Sequence, residues 1–194
     1  MNSRVIFLLF VLVAVIQLAV PISQIARHEH ILQSGEPYKF RTAPVDPADA
    51  FRGRYVALAY EGTAAPLREG DDLRYGMPAY VRLGKDEAGF ARFIELSATP
   101  PESSDYLLVE SLFAAQRGDG GKMHFSLPFD RLYMDEADAP RAEAVYRRHA
   151  GRSDGDAVTA YVLVRVKEGR GVIEELYIDG RPIGDILSED TAKQ

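Results

Sequence analysis

The sequence predicts a mainly β domain, an antiparallel sandwich or barrel-like sheet with one packed amphipathic helix, preceded by a single N-terminal transmembrane helix. Three observations predict it. Residues Val5 to Ala26 contain no charged side chain. From Lys39 onward the apolar residues mostly recur with period two, as half-buried strands require. One stretch, Asp138 to Gly151, places them at helical spacing instead.

The 22 residues Val5 to Ala26 come first. As a helix rising about 1.5 Å per residue they reach roughly 33 Å, the thickness of a bilayer's hydrocarbon core. Gln17, Ser23 and Gln24 are their polar members, and Pro21 lies toward the end of the span, where transmembrane helices tolerate proline. A cleaved secretory signal has a shorter apolar core followed by small residues three apart. That pattern is weak here: Ala19 is followed by Val20 and Pro21, and Gln24 stands two before Ala26. An uncleaved anchor through residues 5–26 is the expectation, with a signal peptide as the alternative. Arg4 precedes the span while Arg27, Lys39 and Arg41 follow it, so the positive-inside bias does not decide orientation. The very short N-terminal tail suits an N-inside anchor, which leaves the domain outside the cytoplasm.

The whole chain has 194 residues, 23 Lys+Arg, 29 Asp+Glu and a net charge of −6, and it lacks cysteine and tryptophan. Arg4 is the one charged residue before Arg27, so 22 basic and 29 acidic residues leave −7 on the remainder. Disulfides, cysteine-ligated metals and cysteine nucleophiles are excluded outright. An acidic chain also argues against general nucleic-acid binding.

Residues 1–35 read as anchor and juxtamembrane helix, with Gly35 as its stop and Pro37 barring continuation. Residues 36–187 read as the β domain, and 188–194 as a flexible tail. Lys39–Ala43 and Tyr55–Tyr60 are the first strands expected. Ala79–Leu83 and Phe90–Ser97 flank the turn Gly84 to Gly89. Tyr106–Phe113 and Lys122–Phe129 flank a loop holding Gly118-Asp119-Gly120-Gly121. In Ala157–Val166 the residues Val158, Ala160, Val162, Val164 and Val166 share a face. Val172–Ile178 pairs with it as a hairpin, and Asp179-Gly180 marks another tight turn. Asp138 caps the helix, Pro140 sits in its first turn, Arg147, Arg148 and His149 close it, and Gly151 ends it.

One segment carries a resemblance. Val45-Asp46-Pro47 leads into Gly53-Arg54-Tyr55-Val56-Ala57-Leu58-Ala59-Tyr60. It resembles the signature of the GDYXXLXY family of bacterial membrane-anchored proteins: Gly53, Tyr55, Leu58 and Tyr60 fit, and Arg54 replaces the family's aspartate. The order of the other parts agrees, with an apolar helix before the signature, Tyr80-Val81-Arg82-Leu83 after it, and a closing segment Leu176 to Pro182. The resemblance implies a membrane-anchored protein of unknown activity, an accessory to a multi-span membrane protein. It implies no cofactor, metal or catalytic residue. In the residues themselves, Leu58 and Tyr60 are two apart and share a strand face with Val56, while Tyr55 faces the other way. Gly53 suits a tight turn into the strand. Arg54 accepts no hydrogen bond, so any role that needs a carboxylate there is lost. The motif reads as structural.

The remaining constellations have plain explanations. His28-Glu29-His30 has the composition of a metal site but reads as a solvated turn. His124 belongs to the polar face of a strand, and His149 to a helix C-terminus. Asp135-Glu136-Ala137-Asp138 lacks calcium-loop spacing and reads as a helix start. Gly118 to Lys122 departs from a phosphate loop at Gln116 and Met123. No Gly-x-Ser-x-Gly elbow is present, and Ser103-Ser104 lies in a proline-rich linker. The leading functional reading is a non-catalytic accessory or binding module at the outer face of a bacterial inner membrane. The alternative is an envelope-directed hydrolase using carboxylates that sequence does not single out.

Overall fold

A computed structural model describes residues 3–43, 55–109, 111–113, 122–149, 153–154, 157–158 and 160–192. Helix α1 (Ser3–Ser34) runs through Pro21 without interruption. At about 1.5 Å per residue it is roughly 48 Å long, more than a hydrocarbon core requires. Its apolar run is exposed all round and is long and apolar enough to cross a membrane. Its last turn meets the domain, where Ile31 is 7% exposed. The helix stops where sequence predicts, with the Gly35 N–H on the Ile31 carbonyl at 2.7 Å. A Cβ on Gly35 would lie 2.6 Å from that same oxygen and 3.1 Å from the Arg165 Cβ.

The strands follow as β1 (Glu36–Ala43), β2 (Tyr55–Ala57), β3 (Ala59–Tyr60), β4 (Ala64–Pro66), β5 (Ala79–Lys85), β6 (Ala91–Ser97), β7 (Tyr106–Val109), β8 (Ser111–Phe113), β9 (Lys122–Ser126) and β10 (Arg131–Tyr133). Helix α2 (Ala139–His149) precedes β11 (Ser153–Asp154), β12 (Ala157–Val158), β13 (Ala160–Lys167), β14 (Arg170–Ile178) and β15 (Arg181–Pro182), and helix α3 (Ile183–Ala192) ends the described chain. The largest sheet orders β15-β14-β13-β1-β3; two three-stranded sheets are β6-β5-β7 and β4-β9-β8, and β10-β2 and β11-β12 are pairs. The strand ladders among the described residues are antiparallel, with isolated parallel bridges at Lys39–Phe90, Leu67–Leu96 and Leu107–Gly169, and the sheets are open rather than closed into a barrel.

The predicted hairpin is present as β13–β14, but its turn is two residues long, and Ala157–Val158, expected at the start of the first strand, forms β12 and pairs with β11 instead. Lys167 pairs with Arg170 across Glu168 and Gly169, whose φ values are 49° and 79°. Ile178 pairs with Arg181 across Asp179 and Gly180, at 50° and 76°. Positive φ at both central residues is the type I′ geometry that matches strand twist. Alternation in β13 buries Ala160, Val162, Val164 and Val166, and β1 buries Tyr38, Phe40 and Thr42 opposite. Burying each such aliphatic side chain is worth about 1.5–3 kcal/mol. Helix α2 adds Ala142, Val145 and Tyr146, and the Tyr146 hydroxyl donates to the Ala43 carbonyl at 3.0 Å. The Asp138 carbonyl accepts the first intrahelical bond, from the Ala142 N–H at 2.8 Å, as an N-cap residue should.

Four further expectations are corrected. Tyr55–Tyr60 is two strands in two sheets, because at Leu58 the chain leaves one partner for another. The Tyr106–Phe113 strand likewise divides into β7 and β8, which pair in different sheets. The strand expected over Lys122–Phe129 stops at Ser126, ahead of Pro128, which has no N–H to give a ladder. Helix α3 runs on through Ser188 to Ala192, so the expected boundary at 187 falls inside it, and α3 buries Ile183 and Leu187. The short strands β4 and β10 were not expected; three residues are too few to show a period.

Candidate functional site: a cleft at the helix junction

Gly53 and Arg54 lie outside the described residues; Tyr55, Leu58 and Tyr60 lie within them. Val56 and Leu58 are buried, at 0% and 6% exposure, and Tyr55 faces the other way as expected. The consequence for the neighbouring segment is not visible in sequence. The Tyr60 hydroxyl donates to the Phe129 carbonyl at 2.7 Å. The Leu58 N–H donates to the Asp130 carbonyl at 2.9 Å. Strand β2 then pairs with β10, matching Ala57 to Arg131, Val56 to Leu132 and Tyr55 to Tyr133. Residues 129–133 are thus held, position by position, by residues 55–60.

That held segment lines a cleft. A depression of about 410 Å³ is bounded by Pro128 to Tyr133, by Gly171 to Ile173 on β14, and by His28 on α1. An adjoining depression of about 300 Å³ shares His28, Pro128, Gly171 and Val172 and adds Arg27, Ile31, Leu108 and Arg170 among its walls. Gly171 makes room for the floor: a Cβ there would lie 2.5 and 2.7 Å from carbons of the Phe129 ring. Phe129 packs edge-on against Phe40 and Tyr60, at centroid distances of 5.3 and 5.6 Å.

At the rim, the Arg131 guanidinium lies 5.1 Å from the Tyr55 ring centre, and the Tyr55 and Tyr133 rings are 5.7 Å apart. The Asp130 carboxylate is 3.6 Å from Arg131. Hydrogen bonding to Tyr133, then the charge of Asp130, pushes the Arg131 pKa further up. Tyr133 is 68% exposed. Burial pushes the Tyr60 hydroxyl well above its ordinary range, so it stays a proton donor to Phe129.

The wall supplied by α1 is fastened to the sheet. The Lys167 ammonium donates to His30 Nε2 and to Ser34 Oγ, each at 2.8 Å. Arg165 reaches the Gly35 carbonyl at 3.4 Å and is itself paired with Glu174. His30 therefore serves as an acceptor at the junction, and His28 turns its Nδ1 to the Gln24 carbonyl at 3.1 Å. His149 instead meets Asp179 at 3.4 Å, bridging α2 to the β14–β15 turn. Among the described residues no three His, Asp or Glu side chains gather in a metal-binding group. The buried polar residues among them are Thr42 and Ser97, neither a carboxylate. Among the described residues, Glu175 is the carboxyl whose pKa rises, through partial burial first and then the charges of Asp185 and Glu174. The cleft presents cations, phenols and an apolar floor. Sequence reasoning singled out the signature but not residues 128–133, whose importance comes wholly from long-range pairing.

The fold and cleft define a β-rich domain of open antiparallel sheets built onto a long apolar N-terminal helix. The model of the GDYXXLXY protein family matches residues 17–176, well over half of the chain. The chain belongs to that family. No curated protein and no solved structure matches it.

Proposed function

We propose that this chain is a single-pass, membrane-anchored accessory module without chemistry of its own, its domain at the outer face of a bacterial inner membrane. The observation that carries the reading is the continuity of α1. The helix that supplies the apolar run also supplies Ile31 to the domain's surface and the groups that Lys167 holds. Retention of the helix keeps those contacts, whereas a signal sequence is removed from its domain. Gln17 supports an accessory role. It lies near the middle of the apolar run, exposed, with no partner among the described residues. A polar side chain at that depth finds its hydrogen bond on another membrane helix, an interaction worth about 1–2 kcal/mol in model peptides. The companion is accordingly another membrane-spanning protein, and the family resemblance suggests a multi-span one.

Alkaline carbonate extraction followed by intact-mass measurement tests the anchor. The expected result is a membrane pellet holding the full 21.5 kDa chain. A shortened chain in the supernatant would overturn it. Protease access in spheroplasts tests the side: digestion of the domain supports the outer face, and full protection contradicts it.

A further inference from the structure

The region that follows the apolar run carries −7 overall, yet the cleft beside that run is cationic. Arg27 comes from α1, Arg131 from β10 and Arg170 from β14, against the one carboxylate of Asp130. Arg170 is exposed and has no ionic partner among the described residues. Arg27 follows directly on Ala26, where the apolar run ends, and His28 comes next. If α1 spans the bilayer, as proposed above, these side chains stand at the level of the lipid headgroups. Exposed Tyr133 at the rim has the amphipathic character that concentrates at such interfaces. Exposed Leu108 lies in the adjoining depression. Guanidinium groups bind phosphate oxygens through paired N–H donors, and basic groups near a membrane are drawn to anionic lipid. An acidic domain close to an anionic surface is repelled except through such a face.

We propose that this double cleft binds the phosphate-bearing headgroup of an anionic phospholipid in the leaflet that faces the domain, with Arg131 in one depression and Arg170 in the adjoining one supplying its cations and Tyr133 at the interfacial plane. The proposal rests on the reading of α1 as a membrane anchor. The bound lipid fixes which face of the domain meets the membrane, and the α1 junction fixes its height.

The test uses the full chain in nanodiscs of phosphatidylcholine alone and of phosphatidylcholine mixed with phosphatidylglycerol. Incorporation into both tests the anchor. Native mass spectrometry of protein released from the mixed discs then tests the site. Phosphatidylglycerol is expected to be retained several-fold over its share of the bilayer. The preference is expected to vanish in Arg131→Gln/Arg170→Gln with an unchanged circular dichroism spectrum, and to survive excess inorganic phosphate. If that double variant misfolds, Arg170→Gln alone, at the exposed start of β14, is expected to reduce the preference. Incorporation without a lipid preference, or a preference indifferent to these arginines, overturns the headgroup proposal and leaves the anchor standing. Displacement by inorganic phosphate overturns it in favour of a simple anion site. Failure to enter either disc overturns the anchor and the proposal together.

Discussion

Removing one hydroxyl from the signature should loosen the whole cleft wall. Tyr60→Phe keeps the ring against Phe40 and Phe129, at 6.1 and 5.6 Å, and deletes the donor to the Phe129 carbonyl. Phe129 is 6% exposed, so little water reaches its backbone to replace the bond. Depriving a buried acceptor of its donor costs about 1–3 kcal/mol. In a domain of this size that lowers the melting temperature by about 3–10 °C. The assay is a thermal melt of the full chain in detergent, followed by circular dichroism and by tyrosine fluorescence, which no tryptophan obscures. Tyr55→Phe is the control: it belongs to the same signature, and no hydrogen bond from its hydroxyl is among those of the described residues. It should melt within about 1 °C of the native chain, as surface changes usually do. If Tyr60→Phe also melts there, or if the two variants fall together, the claim that Tyr60 acts through Phe129 is refuted.

Three further outcomes follow from the same geometry. Gly171→Ala should cost about 1–3 kcal/mol by overpacking, since its Cβ meets the Phe129 ring at 2.5 Å and the Val164 Cγ1 at 3.1 Å; a melting temperature equal to the native one would contradict the close approach. Gly35→Ala places a Cβ 2.6 Å from a backbone oxygen, which no side-chain rotation relieves; amide exchange in residues 29–34 should accelerate, and unchanged protection would show that the junction tolerates a side chain. Glu175 has a raised pKa in the folded chain, so ionising it costs more there than in the unfolded chain, and its effect on stability worsens as pH rises from its unfolded pKa through its folded one. Glu175→Gln should therefore raise the melting temperature at pH 7 and lose that gain below about pH 4, where both side chains are neutral; a gain that does not change with pH would refute the assignment.

What the sequence made legible follows from how local each signal is. The uncharged run announced α1, and Gly35 its end. The alternation through Ala160 to Val166 announced β13, because one face of that strand is buried along its whole length. Asp179-Gly180 marked its turn through residues that accept positive φ, whereas the turn at Glu168-Gly169 puts a glutamate at φ 49°, which its residue type does not announce. The cleft was not legible. Its wall at residues 129–133 is fixed by residues 55–60, some seventy positions earlier, and β10 is too short to show a period. Tyr60 was assigned to a strand face from its spacing, but its hydroxyl bond belongs to the tertiary fold. The split at Leu58 escaped notice for a related reason: the alternation of burial continues through it while the pairing partner changes, so the pattern of side chains reads as one strand.

Placement of the cleft at the membrane surface is the central claim, and a spin label measures it. The chain has no cysteine, so Tyr133→Cys gives a single labelling site on the exposed rim. The labelled full chain is reconstituted in vesicles containing a lipid whose headgroup chelates nickel. Strong relaxation of the label by headgroup-bound nickel is the predicted result. A label that nickel in bulk solution relaxes but headgroup nickel does not would place the rim away from the bilayer and contradict the account.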